Sequence, residues 1–131
     1  MIVLAKREIV NLPGGGGNLP LSPGVKFGNV FYTSGQVGVD RESGTTPDCP
    51  AEQTRNCFKN LKKILDAAGL GFEDVIKANV YITDPSYFPK MNEAYVETFP
   101  ANPPARTTVG TSGLARPEFK VEIELIAGIQ E

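Results

Sequence analysis

The chain contains no histidine. That absence removes Ser-His-Asp and Cys-His catalysis by one chain acting alone, together with every zinc pattern that includes an imidazole. Two cysteines, Cys49 and Cys57, are too few for a four-thiolate metal site. Both fall in or beside one predicted helix, where eight residues span about 12 Å, so free thiols are expected rather than a disulfide. No run approaches the roughly 18–20 apolar residues of a membrane helix, and the stretch from Met1 to Glu8 lacks the basic and apolar regions of a secretory signal. A soluble, cytoplasmic protein with no membrane partner is the expectation. Basic residues are not in excess either: a formal charge of −2 and a pI near 5.2 make nucleic acid a poor default partner. Chemistry is left to Arg, Glu, Asp, Lys, Tyr, Ser, Thr and the backbone.

What is present suits one globular domain over residues 1–131, with 40% hydrophobic and 21% charged residues. Residues Met1 to Val10 read as a first strand, followed by the glycine- and proline-rich connection Asn11 to Pro20. Those glycines lack the Lys-Ser/Thr and the strand-to-helix setting of a phosphate loop, so they are read as a connection without a ligand. Val25-Lys26-Phe27 and Val30 to Ser34 flank Gly28-Asn29, a hairpin signature. Pro50 heads a helix whose apolar stripe includes Ala51, Thr54, Phe58, Leu61, Leu65 and Ala68, and Gly69 stops it. Ile76, Ala78, Val80 and Ile82 alternate with polar residues as one buried face of a strand. Phe88, Met91, Tyr95 and Phe99 mark a second helix, with regular winding expected only after Pro89. Asn92 and Tyr95 could face a site there, and core packing is the reading adopted for Tyr95.

The C-terminal stretch carries the candidate chemistry. Pro103-Pro104 stiffens the chain ahead of Ala105-Arg106-Thr107-Thr108-Val109, a strand that sets Arg106, Thr108 and Gly110 on one face. Phe119, Val121, Ile123 and Leu125 alternate with Lys120, Glu122 and Glu124 in a second strand. Pairing of the two strands would bring Arg106 near the carboxylates, either as a structural ion pair or as an anion clamp beside an acid. The order of elements reads as an α+β fold, a mixed β-sheet with two helices packed on one face. The uncovered face, with Val30 and Tyr32, suits burial by another subunit.

Thr33-Ser34-Gly35-Gln36, Ala67-Ala68-Gly69-Leu70, Asn92-Glu93-Ala94-Tyr95, Pro104-Ala105-Arg106 and Val121-Glu122-Ile123-Glu124 occur in that order between about Pro20 and Gln130. This arrangement resembles the RidA/YjgF/UK114 family of reactive-intermediate deaminases. The resemblance implies a chorismate-mutase-like fold and a homotrimer with its sheets turned inward and three sites at subunit boundaries. It also implies hydrolysis of 2-imino or enamine acids such as 2-aminoacrylate and 2-iminobutanoate, released by pyridoxal-phosphate enzymes, with no metal and no cofactor of its own. Carried over by residue, Arg106 clamps the substrate carboxylate and Glu122 sits beside the attacking water. Gly35 and Thr108 offer backbone groups, and Ser34 and Asn92 line the pocket. Two positions depart from the family pattern: Leu21 stands where a tyrosine is usual, and Thr108 where a cysteine is frequent. A non-catalytic trimer that binds small carboxylates is the alternative; ribonuclease, translation-inhibitor and chaperone activities of relatives are further readings.

Overall fold

The computed structural model describes residues 4–14 and 18–130. Strands β1 (Arg7–Val10), β2 (Gly24–Phe27) and β3 (Val30–Thr33) form an antiparallel meander. Gly28 and Asn29 close the β2–β3 hairpin as the sequence predicts, and only Gly28 takes positive φ, at +62°. A two-residue turn with glycine first matches the twist of its strands. The first strand starts later than the apolar run suggests: Leu4 is 76% exposed and precedes it. Met1–Val3, and Gly15–Gly17 of the glycine-rich connection, lie outside the described residues.

Helix α1 (Pro50–Ala67) begins with Pro50 in its first turn, where a missing N–H costs nothing, and Gly69 follows its end at φ +74°. Cys49 precedes the helix, exposed, and Cys57 lies buried within it, both as free thiols. β5 (Val75–Ile82), α2 (Phe88–Thr98) and β6 (Ala105–Gly110) then form a strand–helix–strand unit whose two strands are parallel. Pro89 sits in the first turn of α2 rather than delaying it, after a single 3₁₀ turn at Pro85–Tyr87. The last strand, β7 (Val121–Gly128), enters the middle of the sheet, giving the order β1-β2-β3-β7-β5-β6.

That order corrects one expectation. The arginine strand and the glutamate strand do not pair, because β5 lies between them, parallel to β6 and antiparallel to β7. A second correction concerns Ile76. The register shifts between Val75 and Lys77, and this bulge turns Ile76 out, 53% exposed, while Val75, Ala78, Val80 and Ile82 stay buried.

Both helices pack on one face of the sheet, over Phe31, Val80, Ile123 and Leu125, all essentially inaccessible to water. Leu61, Leu65 and Met91 cover them from the helices. A fully buried Gln53 fastens this layer to the C-terminal strand: its amide donates to Pro47 O and Glu118 O, and its oxygen accepts the Lys120 N–H. Phe119 and Lys120 thus belong to an anchored approach, and the ladder starts at Val121. Among the described residues no helix covers the opposite face. Phe27, Tyr32, Ile76 and Val109 remain 40–53% exposed there, in register with the polar row of Tyr81, Glu122 and Glu124.

Candidate active site

Arg106 belongs to the helix-covered side. Its Cα partner across the parallel ladder is Ala78, a core residue, and its side chain therefore runs toward α2. There the guanidinium carbon lies 4.5 Å from the Tyr95 ring centroid and 5.5 Å from that of Phe88, and Nη1 donates to Asn92 Oδ1 at 2.7 Å. A planar cation on aromatic faces is held in one orientation at little desolvation cost. The shelf is itself rigid, since Tyr95 packs with Phe58 and Phe99, with centroids 5.6 and 5.1 Å apart. Among the described residues no carboxylate lies within ion-pair distance of Arg106, so the structural ion pair with Glu122 or Glu124 is not formed.

Two polar atoms nearby are buried without a hydrogen-bond partner: the Tyr95 hydroxyl and Thr108 Oγ1. Thr108 pairs with Val80, two residues along the strand from the Arg106–Ala78 pair, so both side chains share one face. Unsatisfied buried hydroxyls are uncommon and costly, and these two lie on the same side of the sheet as Arg106. Burial raises the Tyr95 phenol pKa, with the Arg106 charge opposing it. Tyr95 is thus core, as the sequence suggests, and its ring also carries the Arg106 guanidinium. Only the tertiary packing reveals that.

Glu122 lies on the other side. It pairs with Tyr81 and Val37, on the face without helices. Strand β3 breaks at Ser34-Gly35 and resumes as β4 (Gln36–Val37) on the same edge of β7, with the Thr33 hydroxyl accepting the Leu125 N–H at 3.0 Å where the ladder is interrupted. The break lays the Gly35 backbone against Glu122: a Cβ at Gly35 would stand 3.0 Å from Glu122 Cδ and 3.1 Å from Cγ. Ser34 is turned aside, its hydroxyl donating to Ser22 O at 2.5 Å and its N–H to Pro23 O at 2.9 Å. Burial, and then the neighbouring Glu124 charge, push the Glu122 carboxyl above the usual carboxylate range. Glu124 accepts a 2.5 Å hydrogen bond from the Tyr81 hydroxyl.

The candidate residues therefore form two groups, Asn92, Arg106 and Thr108 on the helix side and Ser34, Gly35 and Glu122 around the break in β3–β4. The sheet separates them within one chain. Among the described residues no group of three or more Cys, Asp or Glu is arranged to hold a metal ion, and no helix is long and apolar enough to cross a membrane.

A family model described as endoribonuclease L-PSP matches residues 17–129, most of the chain. The chain belongs to the RidA/YjgF/UK114 family. A RutC family protein of Pyrococcus horikoshii is 41% identical over 109 residues, covering 82% of this chain and 86% of that one. A 2-iminobutanoate/2-iminopropanoate deaminase of Dermatophagoides farinae is 35% identical over 112 residues, covering 85% and 87%. Among solved structures, E. coli TdcF with bound serine superposes with a TM-score of 0.82 at 35% identity, covering 98% of this chain and all of that one. The fold is the chorismate-mutase-like α+β fold of the RidA/YjgF/UK114 family, a mixed sheet with two helices on one face. In this fold Arg106 and Glu122 stand on strands β6 and β7, with β5 between them.

Proposed function

We propose that the protein hydrolyses 2-imino acids to 2-oxo acids and ammonia, at sites each completed by two copies of the chain in a homotrimer. The observation that carries this reading is Arg106: a guanidinium braced by Asn92 and two aromatic rings, with two unpartnered hydroxyls on the same side of the sheet and no carboxylate partner among the described residues. Its remaining donors fit a substrate carboxylate as a fork, and the buried Tyr95 and Thr108 hydroxyls on the same side keep hydrogen-bonding capacity that the free chain leaves unused. The apolar residues left exposed on the open sheet face supply a surface for association through that face. Because β6 is an edge strand, a neighbouring copy packed on the open face and reaching past that edge would set its Glu122 and Gly35 against Arg106.

In this reading Arg106 fixes the substrate carboxylate, and the Glu122 carboxylate takes a proton from water as its oxygen bonds to the imine carbon. The C=N electron pair passes to nitrogen. Glu122 hands the water proton to that nitrogen, giving the carbinolamine; on collapse Glu122 takes the hydroxyl proton, C=O forms, the C–N bond breaks, and the same proton passes to the departing nitrogen, which leaves as ammonia. A carboxylate whose pKa sits above its ordinary value is a better match to this two-way transfer near neutrality. Leu21 lines a groove that holds neither Arg106 nor Glu122, so substrate orientation falls to the polar groups beside those two residues.

The test couples the protein to a pyridoxal-phosphate serine or threonine dehydratase and follows ammonia release. The native chain should accelerate release, and Arg106→Ala should remove at least about 99% of the acceleration, the loss of a charge-assisted double hydrogen bond in a dry site. Equal rates for the two proteins would end the proposal. Binding of 2-oxobutanoate without turnover would select the non-catalytic alternative.

A further inference from the structure

Between α1 and the segment leading into β2 runs a groove of about 800 Å³, lined by neither Arg106 nor Glu122. Its apolar lining includes Leu12, Leu19, Leu21 and Pro23. Leu19 is 70% and Leu21 58% exposed, so two large side chains stand open to water beside one another. Arg41 and Lys63 share the lining, and neither forms an ion pair among the described residues. The one carboxylate of the lining, Asp66, is already engaged by Lys62 at 3.0 Å. An apolar trough with two unspent cations in its wall is complementary to one kind of molecule.

We infer that this groove binds an amphipathic carboxylate, an unbranched acyl chain of medium length whose head group meets Arg41 and Lys63. The alkyl chain covers Leu19 and Leu21, which otherwise face water, and lies against Leu12, while the head group meets two cations that form no ion pair among the described residues. Two cations are too few for the polyanion track of a nucleic acid. The groove is built on α1, away from the open sheet face, so association through that face leaves it accessible. The inference does not rest on the deaminase reading.

Isothermal titration of the full chain with decanoate, 1-decanol and acetate tests it. Decanoate should bind one per chain, 1-decanol about tenfold more weakly, acetate not measurably, and affinity should rise from hexanoate to decanoate. The double variant Arg41→Gln/Lys63→Gln should bind decanoate about as weakly as 1-decanol, and Leu21→Gln should weaken both ligands. Arg106→Ala should leave decanoate binding unchanged. No binding of decanoate, decanoate binding no tighter than 1-decanol, or a double variant as tight as the native chain would each overturn the inference. Loss of decanoate binding in Arg106→Ala would do so too, by assigning the carboxylate to the strand β6 site.

Discussion

Arg106 lies across the ring of Tyr95, 4.5 Å from guanidinium carbon to ring centroid, while the hydroxyl of that same tyrosine is buried with nothing to bond to. The ring face does structural work and the hydroxyl does none in the free chain. The two roles of Tyr95 are therefore separable by single-atom changes.

Tyr95→Phe keeps the ring under Arg106 and removes an unsatisfied oxygen. Deleting such a group is neutral or stabilising, by up to about 1 kcal/mol, and Thr108→Val has the same logic. Deaminase activity should move the other way, with kcat/KM lower by about tenfold for each variant. Thermal unfolding and the coupled ammonia assay on the same preparations read both effects. Clear destabilisation together with native activity would mean the hydroxyls serve the fold and not the ligand.

Because the sheet stands between Arg106 and Glu122 in one chain, two inactive variants should repair each other. Arg106→Ala and Glu122→Gln, refolded together in equal amounts, should recover activity that neither has alone. Each mixed ring of three holds one intact site, and random mixing makes about three-quarters of the rings mixed, so about a quarter of native activity is expected. Zero recovery from mixed rings would place both groups in sites made by a single chain.

Gly35→Ala inserts a Cβ 3.0 Å from Glu122 Cδ, closer than atoms settle without a shift. The Glu122 carboxylate is the free end of a side chain and can swing away, so stability should change little. Activity should fall by about tenfold or more as the acid leaves its place. Circular dichroism melting and the coupled assay separate the two. A variant that melts far lower would show the close approach to be a packing constraint.

The hydrogen bond to Glu124, with burial and the Glu124 and Glu122 charges adding, holds the Tyr81 phenol up to about 12. A folded-state value above the ordinary 10.0 means that the native chain keeps this proton longer than the unfolded one. The stabilisation is fully present below pH 10 and drains away as pH rises toward 12. Tyrosinate absorbance should show a late-titrating phenol that Tyr81→Phe removes, and the variant should lose less of its Tm than the native chain over that interval. Identical profiles would mean that the Tyr81–Glu124 bond does not persist in solution.

The sequence by itself determined the secondary elements that have a local cause. Gly28-Asn29 made the hairpin, Pro50 and Gly69 bounded α1, and the alternation through Val121, Ile123 and Leu125 produced a strand with one buried face. Motif order was enough for the family. Tertiary structure alone decided the rest, because neighbours in a sheet are chosen by long-range pairing that no local pattern encodes. Period-two alternation could not reveal that β5 would stand between Arg106 and Glu122, nor that a bulge would flip Ile76 outward. Nor could periodicity reveal the double duty of Tyr95 or the buried anchoring of Gln53, since helical spacing reports only which face is covered and not which polar atoms find partners there.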